Sequence, residues 1–549
     1  MGIRFSVVMG AVALCYSFLL VNLYQIQVTN GAYYAEKAGA RSALSGFLDP
    51  ERGTIYFTDK NGTQFAAAIN KDFPIVYAVP RAVQDPEAAA DALAPLLGIE
   101  RESILKKLLK QNSKYELLAE RVSEGVASQV DALKMKGVYA DTARKRFYPF
   151  GALAAHLLGF VGPNEKDSGA SGHYGLEKFY ETELSGVSGK IKGNKTIPSV
   201  PGEDIALTID LNIQTEAERI LYGLVQKYKA AGGGVIAADP RTGKILAMAS
   251  RPNFDPNRYS EANLRDFINP MTQELYEPGS VVKALTMASG IDAGKIEPGT
   301  TYVDKGFVVL NGKTIRNADF AKRGGYGKIT MTNVLEHSLN TGAVFVQREL
   351  GRELFQQYFS DFGLSERTGI DVGGEVEGNL HQLNPKERDI AFATAAYGQG
   401  IAITPIELLS AVGAIANGGE LMRPYVNAAF SPEVIRKVVS EDAARKTAQM
   451  MVSAVDKAEI AKVSGYAIAG KTGTAYVPDF KKGGYTENVI NTYVGFAPAS
   501  DPRFIILVKL DNPAGAPLAG LSVVPAFRDL AQFMLNYYNI PPDRLEKSS

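Results

Sequence analysis

The feature of this sequence that most constrains its fold is one uncharged apolar segment near the N-terminus. Residues 5–24 read FSVVMGAVALCYSFLLVNLY and contain no Asp, Glu, Lys or Arg. A helix of this length spans about 30 Å, the thickness of the hydrocarbon layer of a bilayer. No second apolar segment of comparable length follows it. The sequence therefore predicts a single membrane crossing, with the rest of the chain on one side.

The flanks of this apolar segment favour an uncleaved signal anchor. Arg4 precedes the segment, which favours a cytoplasmic N-terminus and an exported remainder. A cleaved signal peptide would need small residues after the apolar run, but its only Ala-x-Ala, at 11–13, lies in the middle. A lipoprotein would need a small residue before Cys15, and Leu14 stands there. We expect a single-pass protein of the cell (inner) membrane whose remaining chain is extracytoplasmic, or periplasmic.

Composition excludes several classes of function. Lys plus Arg and Asp plus Glu both number 59, so the formal net charge is zero and no nucleic-acid partner is expected. The one cysteine, Cys15, excludes an intramolecular disulfide and a cysteine zinc site. Four histidines are scattered without an HExxH pair, so no metal is expected; they are His156, His173, His337 and His381.

The part of the chain after the anchor changes character near residue 200. Residues 25–200 mix short helix and strand patterns without a catalytic grouping, which favours an elongated α+β pedestal. In residues 201–549 apolar strand patterns occur at both ends, and a Thr404-to-Glu407 capping box starts a helix between them. We predict an α+β domain with an antiparallel sheet built from both ends and a helical insertion. The expected division is 1–4 cytoplasmic stub, 5–24 anchor, 25–200 pedestal and 201–549 second domain.

Two Ser-x-x-Lys stretches occur, and context separates them. Ser103 and Lys106 lie in an amphipathic surface pattern, where both residue types are ordinary. Ser280 follows a Pro-Gly break at 278–279, which predicts a position in the first turn of a helix, at the positive end of its dipole. Lys283 then lies on the same face, as a base beside a nucleophile if burial or a neighbouring cation removes its proton. The alternative is a plain serine cap.

The second candidate motif is Ser338-Leu339-Asn340, the only Ser-x-Asn in the chain. It lies between two helical patterns, so it is expected at a loop tip. A hydroxyl and an amide two residues apart can relay a proton and hold a substrate amide. The alternative interpretation is an ordinary loop cap.

The third candidate motif is Lys471-Thr472-Gly473, the only Lys-Thr-Gly. The preceding residues, from Gly465, also fit the nucleotide-binding pattern G-x4-G-K-[ST]. That pattern requires a helix directly after the threonine, to receive phosphate. Here the following residues, Thr474 to Pro478, read as a strand and then a break. We therefore disfavour nucleotide binding.

Taken in order, the three motifs resemble those of the penicillin-recognising serine acyltransferases. The anchor and several further segments resemble the class B, monofunctional penicillin-binding proteins; these segments are Arg146-x-Tyr148-Pro149, Leu207-Thr-Ile-Asp210 and Tyr397-Gly-Gln-Gly400. No glycosyltransferase-like stretch precedes the pedestal, which disfavours the bifunctional class A. The resemblance implies a dimerisation-like pedestal and a penicillin-binding/β-lactamase-like transpeptidase domain, with a five-stranded antiparallel sheet, helices on both faces and a helical subdomain.

The resemblance also implies the activity, a peptidoglycan D,D-transpeptidase that β-lactams inhibit covalently. Ser280 would attack the penultimate D-Ala carbonyl of a stem peptide, with Lys283 as base. Backbone N–H groups of Ser280 and Thr474 would hold the oxyanion. Ser338 would pass a proton to the leaving amine, and Asn340 would fix Lys283 and the substrate amide.

The substrate-binding residues implied by the resemblance are Lys471, Thr472, Gly473 and Thr474, on a strand edge that receives the terminal carboxylate. An amine from a second stem peptide would then attack the ester. No cofactor is implied. The implied partners, besides peptidoglycan and β-lactams, are the membrane, a membrane-embedded glycan polymerase and other division proteins.

Three alternatives remain open at the level of sequence. Glu277 before the Pro-Gly break and Gly398-Gln-Gly400-Ile401 are closer to division-type members, while an elongation-type enzyme is the alternative. An inactive β-lactam-binding sensor or scaffold would keep the motifs without turnover. A β-lactamase or carboxypeptidase is disfavoured by the long pedestal, and the nearest stretch to a β-lactamase E-x-x-L-N, residues 377–381, is expected to form a solvated turn.

Overall fold

The computed structural model describes residues 2–29, 50–164, 169–192, 195–479, 481–516 and 518–544. The chain forms two compact units. The first consists of residues 1–53, 69–147 and 185–203, and the second of residues 54–68, 148–184 and 204–549. Residues 30–49, within the predicted pedestal, lie outside the described residues. The predicted boundary at residue 200 stays a prediction.

The helices of the described residues are, in chain order, α1 (Gly2–Tyr24), α2 (Pro86–Leu97), α3 (Arg101–Leu108), α4 (Glu124–Ala132), α5 (Ala155–Leu158), α6 (Gly175–Phe179), α7 (Glu181–Ser185), α8 (Leu211–Tyr228), α9 (Pro270–Gln273), α10 (Lys283–Asp292), α11 (Phe320–Arg323), α12 (Met331–His337), α13 (Asn340–Leu350), α14 (Arg352–Asp361), α15 (Asp389–Ala395), α16 (Pro405–Ala416), α17 (Glu441–Ala458) and α18 (Val523–Tyr537). Short 3₁₀ turns lie at Pro80–Ala82, Pro256–Glu261, Leu264–Phe267, Gly279–Val282, His381–Leu383 and Ala519–Leu521, and a π turn at Gln25–Thr29.

The strands are β1 (Ile55–Thr58), β2 (Phe65–Ala78), β3 (Glu116–Ala119), β4 (Val138–Phe147), β5 (Phe160–Pro163), β6 (Ala170–His173), β7 (Lys190–Lys192), β8 (Lys195–Ile197), β9 (Ile205–Asp210), β10 (Gly232–Ala238), β11 (Ile245–Arg251), β12 (Thr301–Asp304), β13 (Phe307–Leu310), β14 (Lys313–Arg316), β15 (Gly327–Thr330), β16 (Glu420–Met422), β17 (Val434–Lys437), β18 (Ala469–Pro478), β19 (Tyr485–Ala497) and β20 (Phe504–Asp511).

The N-terminal helix α1 covers the predicted anchor. Among the described residues, one helical segment is long and apolar enough to cross a membrane, and its window is Val12–Thr29. The predicted span of residues 5–24 lies within α1.

The first unit is an α+β layer. Within it, β2 pairs antiparallel with β3 and β4, and helices α2, α3 and α4 contribute to an apolar core against these strands. Helix α2 begins where Asp85 accepts a hydrogen bond from the Ala88 N–H, and it ends at Gly98 in the left-handed region. This is an ordinary structural core.

The second unit contains the predicted five-stranded sheet. Its order is β11-β10-β20-β19-β18, and every pair is antiparallel. Two strands thus come from the start of the domain and three from its end, as the sequence predicts. Along β10 the side chains alternate between two cores, with Val235 and Ala237 on one face and Ile236 and Ala238 on the other. Helices α8 and α18 cover the first face, and the helical insertion covers the second.

Strand β18 lies at one edge of this sheet, because β19 is its only partner in the described sheet. Its second edge therefore remains available to other groups, and the candidate motifs lie along it.

Candidate active site

Ser280 lies in the short 3₁₀ turn Gly279–Val282, which leads directly into α10. The sequence predicts the first turn of a helix here, and the structure confirms it, with the refinement that this turn is 3₁₀ rather than α. The Gly279 N–H donates to the Gly398 carbonyl at 3.1 Å. A Cβ on Gly398 would lie 2.1 Å from the Gly279 oxygen, so only glycine allows this approach. The turn that carries the serine is thus held by close backbone packing.

Lys283 begins α10, and its amine faces the serine. Its Nζ lies 3.0 Å from Ser280 Oγ and 3.3 Å from Ser338 Oγ, and it donates to the Ser338 carbonyl at 2.6 Å. The side chain of Lys283 is fully buried, with 0% of its surface exposed. A buried amine at hydrogen-bond distance from a hydroxyl has the geometry of a base beside a nucleophile.

Ser338 lies between α12 and α13, as predicted, and takes the left-handed conformation with φ of 55°. This conformation directs the backbone carbonyl and the hydroxyl towards the same place. Ser338 Oγ also lies 2.9 Å from Lys471 Nζ. The hydroxyl of Ser338 therefore connects the amines of Lys283 and Lys471.

The two lysines set the electrostatics of the site. Burial lowers the pKa of Lys283 well below the ordinary value, and the charge of Lys471 lowers it further. Burial also lowers the pKa of Lys471 to about 7. Among the described residues no carboxylate forms an ion pair with either amine. A lowered pKa favours the neutral amine of Lys283, and the neutral amine is the form that can accept a proton.

The Lys-Thr-Gly motif lies within the edge strand β18, and no helix follows it. The structure therefore contradicts the nucleotide-binding alternative. A Cβ on Gly473 would lie 2.5 Å from the Pro278 carbonyl oxygen and 3.0 Å from Val281 Cγ2. Glycine at this position lets the strand pass directly beside the turn that carries Ser280.

The free edge of β18 carries candidate oxyanion donors. A Cβ added to Gly279 would lie 3.0 Å from the Thr474 carbonyl oxygen, so this carbonyl lies on the side of β18 that faces Gly279. In an extended strand the N–H and C=O of one residue point to the same side, so the Thr474 N–H points towards the serine turn. The Ser280 N–H lies in the first turn of a helical segment, where N–H groups lack intrahelical partners. Both predicted donors are therefore brought together.

The threonine hydroxyls of the motif have different partners. Thr472 Oγ1 lies 3.3 Å from Lys471 Nζ. The Thr474 hydroxyl donates to Asn491 Oδ1 at 3.2 Å and accepts from the Ala519 N–H at 3.2 Å. The Thr472 hydroxyl thus lies beside the Lys471 amine, while the Thr474 hydroxyl links β18 to Asn491 and to Ala519.

Asn340 lies at the start of α13, and its side-chain amide donates to the Arg316 carbonyl at 2.8 Å. Within the described residues, no hydrogen bond joins Asn340 to Lys283. The predicted contact of Asn340 with the lysine is therefore not made in this structure, and its role towards a substrate amide stays a prediction.

The sequence interpretation assigned no function to a buried carboxylate beside the serine turn. Glu277 is 8% exposed, accepts from the Gly400 N–H at 2.9 Å, and accepts from the Tyr485 hydroxyl at 3.1 Å. Burial raises the pKa of Glu277. The bond to Tyr485 joins the serine turn to the start of β19. The sequence pointed to Glu277 only through the resemblance to division-type family members. No local pattern in the sequence pointed to Tyr485.

Residues 377–381 do not form the predicted solvated turn. Glu377 and Asn379 are exposed, but Gly378 and Leu380 are buried. The Gly378 N–H donates to the Glu407 carboxylate at 2.7 Å, and Asn379 forms a backbone bridge with Ala402. The segment is fixed because it supplies the capping carboxylate of α16 with a further donor.

No group of three or more His, Cys, Asp or Glu side chains suited to a metal ion occurs in the described parts of the chain.

Comparison with known proteins matches both parts of the chain to families. Residues 233–532 match the penicillin-binding protein transpeptidase domain, and residues 47–196 match the penicillin-binding protein dimerisation domain. The chain is 34% identical to stage V sporulation protein D of Bacillus subtilis, over 91% of this chain and 80% of that protein. It is 28% identical to the peptidoglycan D,D-transpeptidase FtsI of Escherichia coli, over 99% and 93% respectively.

Solved structures show the same fold. Penicillin binding protein 2X from Streptococcus thermophilus superposes with a TM-score of 0.71 at 24% identity, covering 90% of this chain and 81% of that one. A peptidoglycan synthetase from Bifidobacterium adolescentis gives a TM-score of 0.68 at 26% identity, covering 91% and 97%.

Proposed function

Since this chain belongs to the family of penicillin-binding protein transpeptidases, we propose that it cross-links peptidoglycan stem peptides through an acyl-enzyme on Ser280. It is a serine-type D,D-transpeptidase of the class B, division type. The observation that carries the assignment of the nucleophile is the buried Lys283 amine, 3.0 Å from Ser280 Oγ and without a carboxylate partner among the described residues.

Acylation starts when the neutral Lys283 amine accepts the Ser280 proton. Ser280 Oγ then bonds to the carbonyl carbon of the penultimate D-Ala of a donor stem peptide. The negative charge that forms on the carbonyl oxygen is assigned to the N–H groups of Ser280, in the first turn of a helical segment, and of Thr474, on the edge strand beside that turn. Because these donors are fixed in the backbone, little reorganisation is needed as the charge develops.

Collapse of the tetrahedral adduct breaks the bond to the terminal D-Ala. The leaving nitrogen needs a proton, and Ser338 supplies it from the amine network, since its hydroxyl lies 3.3 Å from Lys283 Nζ and 2.9 Å from Lys471 Nζ. The acceptor amine then attacks the ester carbonyl and loses a proton to the same network. Ser280 regains its proton as the new peptide bond forms.

Recognition of the donor is assigned to the Lys-Thr-Gly strand. The D-Ala-D-Ala end carries a terminal carboxylate, and Lys471 with the Thr472 hydroxyl offers a cation and a donor at 3.3 Å from each other. The peptide backbone would lie along the free edge of β18, where Gly473 leaves room. β-Lactams carry an acyl group and a carboxylate in the same relation, so they acylate the same serine.

The cellular role follows as part of the proposal. The apolar helix α1 would anchor the protein in the cell membrane, with residues 25–200 as pedestal and 201–549 as catalytic domain outside it. We place the enzyme in septal wall synthesis beside a membrane-embedded glycan polymerase and other division proteins. A fluorescent fusion should localise to the septum, and depletion should produce filaments. Lateral-wall localisation with cell rounding would instead assign it to elongation.

The decisive experiment compares the two serines of the two Ser-x-x-Lys stretches. Ser280→Ala should abolish covalent labelling by fluorescent penicillin, whereas Ser103→Ala should label as the unmodified protein does. The adduct on Ser280 should persist through denaturing electrophoresis, and mass spectrometry should locate it. Labelling that survives Ser280→Ala would remove the proposed nucleophile.

The lifetime of the adduct separates transfer from hydrolysis. A β-lactamase needs a carboxylate that activates water at the ester. The stretch that comes nearest to supplying one, residues 377–381, is instead bonded to Glu407 and Ala402. Rapid turnover of a chromogenic cephalosporin without a trapped adduct would replace the transpeptidase assignment by hydrolysis.

A further inference from the structure

Residues 301–330, which we call the hairpin module, form a strongly cationic surface in the second unit. The module contains the strand pairs β12–β15 and β13–β14 and the short helix α11. Its six cationic side chains are all exposed: Lys305, Lys313, Arg316, Lys322, Arg323 and Lys328. It contains two acidic residues, Asp304 and Asp319. The module thus carries four excess positive charges in a chain whose net charge is zero.

The charges of this module are not neutralised by carboxylates among the described residues, although Arg316 and Arg323 lie over the rings of Phe320 and Tyr326. Within the described residues, none of the six cations forms an ion pair, whereas Arg352, Arg423 and Arg436 of the same unit each pair with a carboxylate. Asp319 accepts a hydrogen bond from the Tyr326 hydroxyl at 2.5 Å. The six cations therefore face solvent as a field of one sign, which is the usual mark of an anionic partner.

The other acidic residue, Asp304, forms hydrogen bonds within the module and one to Thr341, next to the second motif. It is 2% exposed and accepts from the Gly306 N–H, the Asn317 amide, the Tyr326 N–H and the Thr341 hydroxyl, at 2.7–3.2 Å. Thr341 directly follows Asn340 of the second motif.

A second connection joins the module directly to the motif. The Asn340 side chain donates to the carbonyl of Arg316 at 2.8 Å, and Asn317 Oδ1 accepts from the Thr341 N–H at 3.1 Å. The module is therefore hydrogen-bonded to the motif that holds Ser338 beside the two lysines. A ligand on the module would be tethered within reach of the catalytic serine.

We propose that the hairpin module binds the uncross-linked peptidoglycan strand itself, outside the catalytic cleft, through the carboxylates of its stem peptides. This inference rests on the proposed function. Each uncross-linked stem peptide ends in a carboxylate, and the carboxylates repeated along a strand provide counter-charges for the cations of the module. A bound strand presents further stem peptides near Ser280 at raised local concentration.

Exposed apolar side chains on the same module fit this partner. Val303 on β12 and Phe307 and Val309 on β13 are 65%, 42% and 55% exposed, and the exposed Lys305 lies between the two strands. The alanine methyl groups of the stem peptides and the hydrocarbon faces of the sugars provide apolar surface for them. A free phosphate or a bare headgroup offers no such surface, so the strand is the better match.

The test uses the full chain and a four-fold lysine variant, with Lys305, Lys313, Lys322 and Lys328 each changed to Gln. The matched control removes the same charge elsewhere, by changing to Gln four exposed lysines that form no ion pair among the described residues: Lys106, Lys136, Lys178 and Lys437. Competent protein is titrated with fluorescent penicillin. Binding is then measured per competent site to soluble, uncross-linked peptidoglycan strands, and to the same strands after methyl esterification of their carboxylates.

We expect the module variant to bind the unmodified strand about tenfold more weakly, and its affinity to depend less on salt, because Coulomb attraction is screened by ions. The control should bind within about twofold of the unmodified protein, and esterified strands should bind weakly to all three. Equal binding by the module variant, equal losses in the control, or unchanged binding of esterified strands would each overturn the inference. Binding to phosphatidylglycerol vesicles is measured in parallel. If the module variant loses only its binding to these vesicles, the inference is overturned and the partner is a lipid surface.

These outcomes are distinct from a failure of the proposed function. If the unmodified protein is not acylated by penicillin, the assignment of Ser280 fails, whatever the strand binding shows. If acylation proceeds and the module variant still binds the strand normally, only the hairpin module loses its role.

Discussion

The same four-residue pattern occurs twice in this chain, with opposite results. In α3, Ser103 and Lys106 are both exposed, and the lysine belongs to the ordinary basic last turn of a short helix. At the start of α10, Lys283 is fully buried and its amine lies 3.0 Å from Ser280 Oγ. Spacing alone puts the two side chains on one helical face in both places. It does not make either pair reactive.

Environment makes the difference between the two pairs. Ser103 and Lys106 are both exposed to water, and among the described residues no hydrogen bond joins them. Around Lys283, burial and the nearby charge of Lys471 both disfavour the ammonium form, so the pKa of Lys283 falls. The reactivity of a Ser-x-x-Lys pair therefore depends on its tertiary surroundings as much as on the two residues themselves.

The largest test of this comparison removes the base from each pair. Lys283→Ala should lower the rate of acylation by penicillin by about 10²–10⁴-fold, since a positioned general base contributes on that order. Lys106→Ala, the matched change in the exposed pair, should leave the rate unchanged. Stopped-flow measurement of the second-order acylation rate decides. Normal acylation by the Lys283 variant would show that another group takes the proton.

A second test disturbs the strand that lies against the serine turn and has no counterpart at Ser103. Gly473→Ala would place a Cβ 2.5 Å from the Pro278 oxygen, so β18 must move away from the turn. We expect about 10²-fold slower acylation, the order of loss produced by a misplacement of about 1 Å. The control is Gly223→Ala in α8, where nothing lies within 4 Å of the added carbon. Wild-type rates in the Gly473 variant would show that the close approach is not needed.

The third test addresses the second cation, through the pH dependence of acylation. Lys283 acts as a base only when neutral, so the rate falls as the pH drops through its pKa. The charge of Lys471 lowers that pKa. Lys471→Met should therefore move the acid limb of the pH–rate profile to higher pH. An unshifted limb would show that burial alone sets the pKa; Lys106→Met serves as the control.

The smallest expected effect concerns the carboxylate before the serine turn. Tyr485→Phe removes a hydrogen-bond donor from the buried Glu277 and leaves only the Gly400 N–H among its described partners. This should lower the free energy of unfolding by about 1–2 kcal/mol. Denaturant titration of the detergent-solubilised full chain measures it, with the exposed Tyr476→Phe on β18 as control. A change no larger than that of the control would mean that the bond contributes nothing to stability.

Much of the architecture follows from local patterns. Apolar strand patterns at both ends of the second domain predict its antiparallel sheet, and Thr404 with Glu407 forms the predicted reciprocal cap. The resemblance of the three motifs to those of the penicillin-recognising serine acyltransferases predicts that they meet, and the distances among Lys283, Ser338 and Lys471 show that they do. These features are predictable because each depends on neighbouring residues or on residue types with specific chemistry.

The remaining features depend on contacts between distant parts of the chain, which periodicity does not encode. The Asn340 amide bonds to the hairpin module rather than to Lys283, because an inserted pair of hairpins supplies the Arg316 carbonyl. Likewise, Gly378 is buried because it donates to the capping Glu407, although its local sequence reads as a solvated turn. In both cases a tertiary partner outweighs local preference.

The two buried lysines also bear on how this protein can be stabilised. Burying an amine without a counter-charge lowers the free energy of unfolding. Among the described residues, Lys283 and Lys471 are both buried without a carboxylate partner. An apolar residue of similar length, such as methionine, would remove that cost. Substitutions that raise the melting temperature at these two positions are therefore those that impair acylation, so the protein gives up folding stability to keep its serine reactive.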